Sequence, residues 1–149
     1  MFKTLQDFFQ NLAAPSPVDH EHALRLAAAV LLVEVMRADP SIGEAERATV
    51  RSALGRHFSL QDAEVQQLVD LAEQEAKRAN DFFLFTSRLN DHCGQPDKIA
   101  LVEAMWQVAY ADGLLDANEN HVISKVAGLL HVTHGDYIAA KMRAKERAP

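Results

Sequence analysis

Two stretches of this chain are apolar on nearly every face of a helix, and each runs into the same short acidic pattern. The first, Ala23 to Met36, carries Leu24, Leu26, Val30, Leu31, Leu32, Val33, Val35 and Met36, with Arg25 and Glu34 as its charged interruptions. The second, over residues 99–110, carries Ile99, Leu101, Val102, Met105, Trp106, Val108 and Tyr110. A helix that is apolar all round has no face to give to water, so it belongs at the centre of a core. Two such helices within 149 residues require a shell of others around them. The first stretch is too short and too charged to span a bilayer comfortably.

The acidic pattern that follows each stretch is Ala38-Asp39-Pro40-Ser41-Ile42-Gly43-Glu44-Ala45-Glu46 in one case and Ala111-Asp112-Gly113-Leu114-Leu115-Asp116-Ala117-Asn118-Glu119 in the other. In both, Ala-Asp ends an apolar helix, a branched aliphatic comes three residues after the Asp, and a Glu comes seven after it. Pro40 stops the first helix because proline cannot extend the hydrogen-bond ladder. Gly113 suits the left-handed cap of the second.

The remaining segments read as helices of ordinary amphipathic character. Phe2, Leu5, Phe9 and Leu12 give an N-terminal one that ends near Pro15 and Pro17, and Asp19 is placed to cap the next. A helix from about Glu44 to His57 follows, then one capped by Ser59 and running to Arg78. Asn80 or Asp81 opens another, with Phe82, Phe83, Phe85 and Leu89 as core positions, and Gly94 ends it. Asp116 starts a helix with Val122, Ile123 and Val126 inward, and residues 133–147 form the last. No alternating stretch long enough for a strand occurs. The expected fold is all-α: a single compact domain of seven to eight helices with two pseudo-repeated helical halves. Residues 1–18 form the N-terminal amphipathic helix and Pro linker, and residues 19–149 the domain proper.

Composition narrows the function classes. With 15 Lys and Arg against 21 Asp and Glu, the net charge of −6 speaks against a general electrostatic grip on nucleic acid. A lone Cys93 excludes an internal disulfide and a Cys-based zinc site, and fits a reducing cytoplasm. The N-terminus shows no uninterrupted apolar run followed by a small-residue cleavage site, so no signal peptide is expected. There is no HExxH, no Gly-rich phosphate loop and no nucleophile beside an oriented base. His92 and Cys93 are neighbours and point about 100° apart on a helix, which makes them poor partners. His131 and His134 flank a turn and are close enough in sequence to share a metal, with surface roles as the plainer account.

The corners support two readings side by side. Asp116-Ala117-Asn118-Glu119 has capping-box spacing, with Asp at the cap and Glu three residues later, so each satisfies a free N–H of a helix start. The corner also matches the second half of a calcium loop: with Asp112 as position 5, Gly113 is 6, Leu115 is 8, Asp116 is 9 and Glu119 is 12. Val108 and Tyr110 stand at positions 1 and 3 and supply no carboxylate. A cation would therefore need ligands from both corners, or water to complete its shell; the candidate ligands are Asp39, Glu46, Asp112 and Glu119, with Asp116 and Glu44 as second choices. Carboxylates alone prefer hard ions such as calcium, magnesium or manganese, and zinc needs a histidine to join them.

Ala-Asp-Gly-x-Leu-Asp-x-x-Glu after an apolar helix resembles the signature of the TerB-like, or tellurite-resistance protein B-like, family. Residues Ala111 to Glu119 follow it closely, whereas Ala38 to Glu46 depart at Pro40 and Gly43. The resemblance covers roughly residues 20–140 in size and helix order. It implies an all-helical domain with duplicated halves and an acidic surface for divalent metal. It further implies a non-enzymatic bacterial cytoplasmic protein tied to tellurite resistance and stress response, with an unidentified protein partner and peripheral association with membrane proteins. The alternative is a helical protein–protein interaction module whose corners are structural only. Carboxylate acid/base catalysis ranks last, because no pocket or oxyanion device is legible.

Overall fold

The computed structural model describes residues 17–38, 43–78, 82–111 and 115–147. The expected N-terminal helix, the stops at Pro40 and Gly113, and the Asn80/Asp81 cap fall outside these residues. Among the described residues there are seven helices and no strand: α1 (Pro17–Ala38), α2 (Glu44–Phe58), α3 (Asp62–Arg78), α4 (Phe83–His92), α5 (Gln95–Ala109), α6 (Ala117–Leu129) and α7 (His134–Glu146). None of them is long and apolar enough to cross a membrane. α1 is already helical at Pro17, ahead of the expected cap at Asp19.

The two apolar stretches are the central helices. From Leu26 to Val33 every residue of α1 is buried, and α1 packs against α2, α3, α4, α5 and α6. Fully burying one Val, Leu or Met side chain is worth roughly 1.5–3 kcal/mol, so α1 supplies much of the core. Its charged residues are met locally, Arg25 by Glu21 and Arg37 by Glu34, each at 2.9 Å. α5 buries Leu101, Val102, Met105, Trp106, Val108 and Ala109. Trp106 packs on Tyr110 and Tyr137, and the Lys141 ammonium lies 5.0 Å from its ring.

Packing partners correspond between the halves. α1 packs on α3 as α5 packs on α7, and each central helix also touches the corner helix of the other half, α1 against α6 and α5 against α2. The exits match as well. Ser59 and His131 are the two non-glycine residues with positive φ among those described, at 54° and 60°. Behind them Leu60 N–H donates to the Gly55 carbonyl at 3.0 Å, and Val132 N–H to that of Ala127 at 3.1 Å. These are the six-to-one bonds of a Schellman turn, which ends a helix on a left-handed residue. Next, Gln61 N–H donates to the Glu64 carboxylate and Asp136 N–H to the Thr133 hydroxyl, so the same two places exchange a capping bond in each half.

Two expectations are corrected. Ser59 does not cap α3; it is the left-handed C-cap of α2, and its N–H bonds to the Gly55 carbonyl. Phe83 is not core: it is 65% exposed, while Phe85 and Leu89 take the inner face of α4. Cys93 is the C-cap of α4, a thiol at a helix end. Burial pushes its ionisation up, Asp97 adds to this, and Lys98 works against both, so the thiol is a weak nucleophile.

Candidate functional site at the two acidic corners

Each corner helix opens in the same way. Gly43 is the N-cap of α2 and Asp116 that of α6, both with extended backbone. Three residues on, at N3, stand Glu46 and Glu119. Both are 0% exposed, although a first-turn glutamate ordinarily faces solvent. A helix N-terminus favours negative charge, and both carboxylates lie within its reach.

The α6 corner contains the capping box that its spacing predicts. The Asp116 carboxylate accepts from Asn118 N–H at 2.7 Å, and Glu119 Oε1 accepts from Asp116 N–H at 3.2 Å. The α2 corner lacks the cap half of this arrangement, because Gly43 has no side chain to offer. Glu44 instead pairs with Arg51 across two turns, at 2.6 Å.

Of the five expected metal ligands, Glu46, Glu119 and Asp116 are thus placed, while Asp39 and Asp112 lie outside the described residues. Among the described residues no group of three or more His, Cys, Asp or Glu is arranged to hold a metal ion. His131 and His134 form no such group; His131 takes the left-handed turn and His134 stacks on Tyr137.

What the structure does bring together is the flanks of the two corners. A cleft of about 420 Å³ is lined by Ala48, Thr49, Ser52 and Arg56 of α2, by Gln107, Tyr110 and Ala111 at the end of α5, and by Ala144 and Arg147 at the end of α7. Ala48 and Thr49 follow Glu46 by two and three residues, and Ala111 immediately precedes Asp112. The start of one corner helix and the approach to the other corner therefore share a single hollow. Sequence reasoning did not find Ser52, Arg56, Gln107 or Arg147 as members of a site. Their only sequence signal was that Arg147 belongs to a basic tail; their convergence is a property of the tertiary packing.

A single all-helical domain with a buried glutamate in the first turn of each corner helix defines the class. The family model described as tellurite resistance protein TerB matches residues 25–142, and the chain belongs to that family. No curated protein and no solved structure gave a match.

Proposed function

We propose that the two acidic corners act together as one binding site for a divalent cation, in a non-enzymatic protein of the cytoplasm. Asp39, Glu46, Asp112 and Glu119 would hold the ion, with Asp116 beside them. The observation that carries this reading is the pair of fully buried glutamates, Glu46 and Glu119, at the same place in the first turn of each corner helix. The proposed set is all carboxylate, and the ions such oxygens favour are calcium, magnesium or manganese. Family membership supports a link to tellurite resistance and stress response in bacteria, with the loaded patch presented to a protein partner.

The alternative, a partner-binding module without metal, draws on a different feature. A groove of about 370 Å³ between α1 and α3 is lined by Leu26, Leu60, Leu68 and Leu71 beneath His22, Arg25 and Glu64. Thermal unfolding of the full chain separates the two readings. Under the cation reading, magnesium, calcium or manganese raises the midpoint above an ionic-strength control. At a hundred times Kd the gain is about 2.7 kcal/mol, or roughly 5–10 °C. Glu119→Gln together with Asp112→Asn abolishes this shift while helicity is kept, since Gln also serves at N3 of a capping box. A native protein with no ion-specific shift leaves the interaction module as the account.

A further inference from the structure

The cleft beside the corners is lined by two arginines and by no carboxylate. Arg56, in the last turn of α2, and Arg147, at the end of α7, line it from two different elements. Neither guanidinium is well neutralised. Arg147 reaches Glu103 Oε2 only at 3.6 Å, and Glu103 Oε1 already accepts from Arg143, so two arginines share one carboxylate. Arg56 makes no ion pair among the described residues, and its Nε–H donates to the Ser52 carbonyl at a long 3.4 Å. Unneutralised cationic charge collects here in a chain whose net charge is −6.

Cations near helix C-termini offset the helix dipole, which accounts for each arginine taken singly. It does not account for their meeting at one concave surface with a set of hydrogen-bonding side chains. Ser52, Gln107 and Tyr110 line the same cleft and offer donors. The Thr49 hydroxyl donates to the Ala45 carbonyl at 2.9 Å, which leaves its oxygen as an acceptor for a ligand hydroxyl. Burial pushes the Tyr110 phenol up from its ordinary value, so it keeps its proton and remains a donor. Ala48, Ala111 and Ala144 supply small apolar walls, and the volume of about 420 Å³ is in the range of small-ligand sites. Paired guanidinium groups with neutral donors are the chemistry that recognises a phosphoryl oxyanion.

We infer that this cleft binds a small phosphorylated metabolite, its phosphoryl group held between Arg56 and Arg147 and its hydroxylated body lying toward Thr49 and Tyr110. The inference stands on the cleft alone and does not require a cation at the corners.

The test is an NMR titration of the full chain in metal-free buffer, at matched ionic strength, with inorganic phosphate and with ribose 5-phosphate as probes. The expected result is saturable shifts at the amides of Thr49, Ser52, Tyr110 and Ala111, with the ester binding more tightly than free phosphate. Arg56→Gln and Arg147→Gln each weaken the affinity about tenfold or more, whereas Lys77→Gln on α3, which removes the same charge at a distance, leaves it unchanged. The inference is overturned if neither probe saturates by about 50 mM, a limit already weaker than a millimolar complex. It is equally overturned if the arginine variants lower the thermal midpoint but bind both probes like the parent, which is the behaviour of cations that only serve helix ends.

Discussion

At the scale of single residues, charge and burial set most of the behaviour. Glu34 sits on α1 with its side chain 16% exposed. Burial pushes its carboxyl up from 4.5, and Arg37, through its charge and its hydrogen bond, only partly reverses this. Because the folded value lies above the unfolded one, Glu34 favours folding below pH 4.5, and this contribution is lost as pH rises through the raised value. Glu34→Gln should therefore flatten the loss of stability over that window, and urea unfolding across the acidic range measures it. A stability difference between variant and parent that does not change with pH would show that Glu34 ionises in the folded state as it does in the unfolded one. The burial of Glu46 and Glu119 was not legible in the sequence. A glutamate at N3 reads as an exposed cap, and its burial depends on the packing of the corner helices, α2 against α1, α3 and α5, and α6 against α1, α4 and α5.

Elements are held by their ends as much as by their faces. The α6 corner is fully capped, so Asp116→Ala should cost about 1 kcal/mol in urea unfolding through the lost bond to Asn118 N–H. The α2 corner has room for the same device. Gly43 has extended backbone, and a Cβ built there meets nothing within 4 Å. Gly43→Ser would complete a Ser-x-x-Glu box with Glu46, and it should gain about 0.5–1 kcal/mol from the cap and from a stiffer unfolded chain. A loss on that substitution would mean that Glu46 is committed elsewhere. The described helices could be read from apolar spacing to within a few residues, because α1 and α5 leave no other packing solution. The errors fell where local pattern and tertiary demand diverge. Ser59 looked like a helix start, since serine caps commonly, yet the turn into α3 demands a left-handed residue there. Nothing in a non-glycine side chain announces that role, and His131 takes the same one unannounced. The phenylalanines at 82–85 fall on more faces than a half-buried helix can hide, so Phe83 is left outside.

For the whole molecule, the account rests on how two separately encoded corners relate in space. The sequence supplied their residues and their common offset, and the matching helix order made two related halves the natural reading. It could not supply adjacency, which depends on α5 crossing α2 and α1 crossing α6. Thr49, three residues beyond Glu46, and Ala111, just before Asp112, line one cleft, and the arginines that line it too were invisible before the helices were assembled. The most direct measurement is a titration of the 15N-labelled full chain with substoichiometric manganese, read as paramagnetic broadening of amide signals. One shared site predicts that the amides around Glu46 and those around Glu119 broaden together, at the same manganese ratio, and recover together when magnesium is added in excess. Broadening at one corner alone, or spread evenly over exposed carboxylates such as Asp62 and Glu64, would contradict it.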